Sequence, residues 1–373
     1  MDQERLAFVA LHFIPGLGDI LIKQLVSYCG SALAVFQLPV SRLTRIPGIG
    51  PALASTIHSN KPFFEAEKVL REAERQDATL LFFHDKLYPQ RLKLLDDAPS
   101  LIYWKGNVNL NAVRIIALVG TREATSYGKE MVQSLIEEVK GFQPLIVSGL
   151  AYGIDIEAHK CALRAGLSTV GVLGSGLDVI YPGVHHDVAK KMMQAGGLMT
   201  EHPFGTKPDP HHFPARNRMI AGLCDALVVV EAADTGGALI TASIADSYNK
   251  DVFAIPGRAT DPMSEGCNRL IKTNKAHLIT SGKDIAYIMN WDMPDPAGAQ
   301  QLSLPLDIMD EAEKRIVNLL AGRDKPIQID DLCLMLETNQ GSIASILLSL
   351  ELKNIVSSFP GKQYGLRRRT LQG

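Results

Sequence analysis

No two cysteines in this chain stand at metal-ligand spacing. The five that occur, Cys29, Cys161, Cys224, Cys267 and Cys333, are scattered. That argues against a disulfide framework or a zinc site and leaves them as small apolar filler. His185, His186, His211 and His212 have no carboxylates at ligand spacing, so no metal is expected. A run of about 18 apolar residues is also missing, so no membrane-spanning helix is expected. The opening stretch MDQERLAFVALHFIPGLG puts acids ahead of its apolar run and breaks that run at Pro15, which does not fit a secretory leader. A cytoplasmic protein is the expectation. Excess charge is absent too: 38 Lys and Arg stand against 40 Asp and Glu. Any anion-binding face must therefore be a local patch. The P-loop GxxxxGK[ST] does not occur. The dinucleotide fingerprint is incomplete: Gly174-Ser175-Gly176 runs into Leu177-Asp178-Val179 with no third glycine, and Tyr181-Pro182 interrupts the helix it would need. No cofactor is expected.

What the chain does have is ordinary globular composition, 46% hydrophobic and 21% charged. Its 373 residues suffice for two or three domains. The organising stretch is VGTREATSYGK, residues 119–129. An apolar run at 114–119 has the length and β-branched content of a buried strand. Residues 129–139 then show helical spacing at Met131, Val132, Leu135, Ile136 and Val139. A strand, a tight turn at Gly120, a loop carrying Arg122 and a helix would set backbone N–H groups and a positive helix end at the mouth of a crevice. Arg122 could fork onto a phosphate there.

The rest of 112–285 alternates strands and helices. Strands are predicted at 115–119, 144–147, 169–173, 198–200, 226–230, 252–255 and 277–279, giving βαβ units and a mostly parallel, Rossmann-like α/β sheet covered on both faces. Nearly every strand ends in a small or glycine-containing loop, among them GTR, SGLAYGID, GSGLD, EHP and EAADTGG. In an open α/β sheet these loops share one edge and form a phosphate- or sugar-binding rim. His211–Arg218 reads as a loop running into a helix at 219–224. Arg216, Asn217 and Arg218 crowd its first turn against the helix dipole, a conflict that a bound anion would resolve. Salt bridges to Asp225 or Glu231 are the alternative.

Residues 1–76 read as helical, with two PG-x-G turns, at 13–18 and 45–50, each opening a helix. These look like helix-hairpin-helix turns, which can approach a DNA phosphate; purely structural hairpins are the alternative. Residues 77–112 have strand character and attach to the sheet domain, 77–289. Residues 290–306 read as a flexible linker. Residues 307–367 read as a winged helix, whose third helix, near 342–353, carries no cation before Lys353. Base readout there looks poor. The tail Arg367-Arg368-Arg369 could add nonspecific phosphate contact.

These motifs taken in order, VGTR…YG, SGLAYGIDIEAH, GVLGSGLDVIYP, TEHPFG, HFPARNRMIAGLCDALVVVEA, TGGALITA and DVFAIPG…GCNRLI, resemble the DNA-processing protein A family, also called Smf. The resemblance is strongest over 114–285. It implies an extended Rossmann-like domain that binds single-stranded DNA and forms a homodimer, a role in natural transformation (competence), loading of the RecA recombinase against single-strand-binding protein, and no catalytic reaction. Carried over position by position, it implies that Gly120, Thr121 and Arg122 hold phosphate. Ser148 and Gly149 would line the same pocket, and Arg216, Asn217 and Arg218 would join it. The dimer contact would fall around Gly266–Ile271 and the neighbouring last strands, where Leu270 and Ile271 could serve it; core packing is the alternative for these two. Where many relatives carry a DNA-contacting lysine this chain has Gly183, with His185, His186 or Lys207 as substitutes. The rival reading is a nucleotide phosphoribohydrolase-like enzyme, with Glu231, Glu201 or Asp155 as acid or base.

Overall fold

The computed structural model describes residues 2–291, 310–321, 327–336, 338–353, 355–359 and 363–366. The expected linker (292–306 of it), the turn at Pro360-Gly361 and the arginine tail lie outside these residues. The chain divides into two compact units, Met1–Pro294 and Asp295–Gly373.

The first unit is built on nine strands: β1 Thr79–Phe82, β2 Leu101–Gly106, β3 Ile115–Val119, β4 Leu145–Ser148, β5 Thr169–Val172, β6 Gly196–Thr200, β7 Ala226–Val229, β8 Asp251–Ala254 and β9 His277–Leu278. Their order across the sheet is β1-β2-β6-β5-β4-β3-β7-β8-β9. From β6 to β9 all neighbours are parallel; β1 and β2 add an antiparallel edge. The seven predicted core strands are all there, with ends shifted by one or two residues.

Strand alternation sorts the core into two layers. Ile115, Ala117 and Val119 of β3 join one cluster, with Leu145, Val147, Leu227 and Val229. Ile116 and Leu118 join the other, with Ile146, Ala226 and Val228. The helix Ser126–Val139 seals that second face with Val132, Leu135, Ile136 and Val139, a spacing that sets one apolar stripe on the sheet. Six helices over Gln3–Arg75 cover the antiparallel edge, where Leu80, Phe82, Leu101 and Tyr103 join their core. Arg5 donates to Leu80 O at 2.6 Å, and Lys23 to Asp96 O at 2.7 Å and Ala98 O at 2.9 Å.

The two PG-x-G turns have unequal fates. Gly16 and Gly48 both take positive φ, +81° and +80°. In the first turn, Asp19 opens the helix and its carboxylate accepts from Ser100 N at 2.7 Å and Ser100 Oγ at 2.6 Å. That helix end is spent on docking to the sheet domain. In the second turn Pro47, Gly48, Gly50 and Pro51 are exposed and the N-cap Gly50 has no side-chain cap.

The second unit is a winged helix. Helices Glu311–Ala321, Ile329–Leu336 and Gln340–Leu352 pack around Ile316, Val317, Leu332, Ile343 and Leu347. The wing strands Val356–Phe359 and Gln363–Leu366 pair antiparallel, and Ile327–Gln328 joins them. Lys353, the cation that closes the third helix, is bonded to Glu313 at 2.7 Å.

His159 sits fully buried beneath the parallel strands. Its Nδ1 faces Thr169 Oγ1 at 2.7 Å, and Nε2 has no partner. Burial first, then Arg216 and His185, lower its pKa from 6.5 to about 3. Below pH 6.5 the unfolded chain takes up a proton there that the folded chain refuses until near pH 3. Stability should therefore fall with acid across that window, by about 1.4 kcal/mol per pH unit from this group. A His159→Leu variant should show a correspondingly shallower acid-side slope in urea melts at pH 6.5 and pH 4.5. An unaltered slope would exclude His159 as the source.

Candidate nucleic-acid interface

Strand order reverses at β3: the chain steps from β3 to β4 on one side, and later returns to place β7 on the other. Such a switch point leaves the loops after the two strands splayed apart, opening a crevice at their carboxyl ends. The cavity found there has a volume of about 620 Å³. One wall is residues 119–123 at the end of β3; the opposite wall is Ala232, Ala233, 235–238, Ile240 and Thr241 after β7. Ala151 enters from the loop after β4 and Asp155 from the first turn of helix Ile154–Arg164, and Tyr181, Phe213, Arg216 and Asn217 also line the cavity.

Arg122 is exposed on the lip. Its guanidinium carbon lies 5.5 Å from the centroid of Phe213, a cation–π contact that props it over the opening. No carboxylate among the described residues pairs with it. Arg122 is thus a cation ready for an anionic ligand.

The other wall contributes a helix end. Helix Gly237–Ser247 begins at Gly236, which takes φ +151° and offers no side-chain cap. Its first turn, Gly237 and Ala238, opens into the cavity beside Thr235 and Thr241. Uncapped N–H groups and the positive dipole end point where a phosphate would sit. The helix end after Arg122, which the sequence reading favoured, is occupied instead. Glu231 accepts there from Thr125 N at 3.0 Å and Thr125 Oγ1 at 2.5 Å. The Thr121 N–H, expected to face ligand, donates to Glu231 O at 2.8 Å. A carboxylate from the segment after β7 supplies the anion that the dipole favours, so this end is closed to a phosphate. The Asp234-Thr235-Gly236-Gly237 loop was the available signal for the open end.

The FPARNR run is helical from the start: the helix spans His212–Leu223, so the loop expected at 211–218 is a correction. Being helical, its side chains radiate, and the three polar residues part company. Arg216 points inward, only 4% exposed, and lines the cavity floor. Its Nη1 donates to Gly149 O at 2.5 Å and to Val172 O, while Nε has no partner. Asp155 lies beside it, its carboxylate accepting from Gly149 N at 3.1 Å and Ala151 N at 3.4 Å. Burial, the largest influence on each, raises the acid's pKa and lowers the arginine's. Two N–H donors face the carboxylate and two carbonyls face the guanidinium, surroundings that favour the charged form of each. Asn217 also lines the cavity, its Nδ2 donating to Gly237 O at 3.4 Å.

Arg218 does not reach the crevice. It is bonded to Glu201 and Asp97 O on the far side of the helix. Neither salt bridge weighed for these arginines forms, since Asp225 pairs with Arg91 at 2.7 Å and Glu231 is held by Thr125. Ser148 is fully buried, its Oγ donating to Leu118 O at 2.6 Å, and it does not line the cavity. Gly149 is structural as well: a Cβ there would stand 2.2 Å from Arg216 Nη1. Gly153, with φ +76°, lets its loop press on the Arg122 loop, where a Cβ would meet Thr121 O at 2.1 Å. Leu270 is buried in the core and Ile271 half-buried against it. His185 is buried on Leu150 O at 2.9 Å, which removes it as a substitute contact. His212 stacks on His202 with centroids 4.1 Å apart. Among the described residues, no cluster of three or more His, Cys, Asp or Glu is arranged to hold a metal, and no helix is long and apolar enough to cross a membrane.

Residues 79–290 match the family model described as DNA recombination-mediator protein A. Residues 294–362 match the DprA winged helix domain. DNA processing protein DprA of Streptococcus pneumoniae is 39% identical over 223 residues, covering 60% of this chain and 78% of that protein. The X-ray structure of that protein superposes with a TM-score of 0.66 at 33% identity, over 77% of this chain and 98% of the other. DNA processing protein A of Helicobacter pylori, solved for its single-stranded DNA binding mode, superposes with a TM-score of 0.53 at 29% identity, over 58% and 97%.

Proposed function

The chain belongs to the DNA recombination-mediator protein A family, and from that premise we propose that it binds single-stranded DNA in the crevice at the sheet's switch point. The observation that carries this reading is that Arg122, without an ion pair among the described residues, lines one cavity together with the uncapped end of helix Gly237–Ser247. Phosphates of the strand take both sites, and the bases stay outside, so sequence preference is low. Arg216 and Asn217 shape the floor, and Gly120 leaves room at the turn. The function that follows is mediation of recombination in natural transformation: protecting an incoming strand and loading the RecA recombinase onto it in the presence of single-strand-binding protein, in the cytoplasm. Residues 77–289 hold the strand, while 1–76 and 307–367 serve further contacts. The Lys353–Glu313 bond supports a protein-interaction role for the winged helix over base readout. Two copies associate as a homodimer around Ile271; the burial of Leu270 leaves it an indirect part in that contact.

Binding rather than catalysis is favoured by the state of the three candidate carboxylates. Glu231 is held by Thr125, Asp155 lies beside Arg216, and Glu201 is bonded to Arg218. None stands free as an acid or base. The test is fluorescence anisotropy of labelled oligo(dT) and a duplex of equal length, with nucleoside monophosphates assayed for base release. Salt-sensitive binding of the single strand, weaker duplex binding and no base release are expected. Base release without strand binding would replace this reading with the phosphoribohydrolase one.

A further inference from the structure

The loop after β4 is strained, and the strain has a visible product. Leu150 takes φ +59°, a left-handed conformation that a bulky side chain adopts only when its surroundings impose it. Gly153 follows at φ +76°. Between them Ala151 lines the crevice and Tyr152 is turned outward, 47% exposed. The ring is not loose. It packs edge-on against His185, centroids 5.1 Å apart, and His185 is buried and tied to the carbonyl of the strained Leu150 at 2.9 Å. The short turn that ends in His185 begins right after Tyr181-Pro182. Tyr181, 49% exposed, lines the crevice and leans on Phe213 at 6.0 Å, the same ring that props Arg122. Val184, on that turn, is 75% exposed, and a Cβ at Gly183 would meet nothing within 4 Å. This rim thus holds two propped aromatic rings and an exposed valine, with no cation among residues 181–184 or at Tyr152.

We propose that Tyr152, with Tyr181 and Val184, forms a stacking shelf for unpaired nucleobases, continuing the single-strand path out of the crevice. The inference rests on the crevice reading above. A strand whose phosphates lie at Arg122 and the helix end must turn its bases to another surface, and this apolar rim adjoins the phosphate wall through Phe213. An aromatic face accepts any base, since every base has a π-face. The shelf adds affinity without adding sequence preference or salt dependence, which belong to the phosphate contacts. Duplex DNA, with its bases paired and stacked, cannot use it.

The measurement compares Tyr152→Ala, Tyr152→Trp and the wild type on oligo(dT) and on an abasic strand of equal length, across a salt series. Stacking loss is worth roughly tenfold in affinity per base. Tyr152→Ala should therefore bind oligo(dT) about tenfold more weakly, with the salt slope unchanged and abasic binding equal to wild type. Tyr152→Trp should match or exceed wild type on oligo(dT). The shelf is overturned if Tyr152→Ala binds oligo(dT) as wild type does, or if the loss is equal on the abasic strand. Wild-type protein that binds neither strand would sink the crevice reading itself, an outcome separate from either.

Discussion

Alanine at Arg122 is expected to weaken single-stranded DNA binding about ten- to hundredfold while leaving the fold unchanged. The size follows from removing one charge-assisted phosphate contact, worth about 1.5–3 kcal/mol. The selectivity follows from the side chain's position: it is exposed, without an ion pair among the described residues, and its recorded contact is the Phe213 ring. Nothing in the core depends on it. The slope of log affinity against log salt should become shallower by about one, the signature of one lost phosphate. Arg122→Lys should recover the slope more fully than the affinity, because an ammonium keeps the charge but loses the fork and the planar stack. Anisotropy titrations at several salt concentrations read both quantities, and a thermal melt confirms folding. Wild-type affinity in the alanine variant would remove Arg122 from the site.

A second substitution should act through stability. Asp155→Ala takes away the carboxylate beside Arg216 and strands a buried cation. It also leaves the Gly149 and Ala151 N–H groups without their acceptor. Leaving buried polar groups without their acceptor, next to a guanidinium that has lost its neighbouring charge, costs about 1–3 kcal/mol. Urea denaturation should show a loss of that order. The double variant Asp155→Ala/Arg216→Met should lose less than Asp155→Ala alone, since the uncompensated charge goes with the arginine. A loss below about 1 kcal/mol for Asp155→Ala, or simple additivity in the double variant, would mean that the two groups are not coupled. Because Arg216 and Asp155 form the crevice floor, the single variant should also lose oligo(dT) binding. The double variant then separates the two roles, recovering stability without recovering affinity.

The elements were legible for a plain reason. Buried parallel strands are short β-branched runs, and the helices between them repeat their apolar residues at 3.6-residue spacing. Both are local patterns, so β3 and the helix after it could be placed from 115–139 alone. The winged helix was readable in the same way, including its cation-poor third helix. Arg122 was legible because a charged residue in a glycine turn after a buried strand has few structural reasons to be there. The FPARNR run was misread because Pro214 suggested a first turn, whereas the helix had already begun at His212.

The sequence by itself thus determined the α/β class, the crevice at the strand ends and the arginine on its lip, since each depends on residues near one another in the chain. Tertiary structure decided which of two helix ends stays open. Glu231, 106 residues beyond Thr125, fills one end, and no N-cap side chain fills the end at Gly236 among the described residues. It also decided that Arg216 faces inward to Asp155 while Arg218 turns away to Glu201, and that a buried histidine holds Tyr152 at the rim. Those outcomes depend on which charges and rings meet across the sheet, and strand order, not sequence distance, sets that.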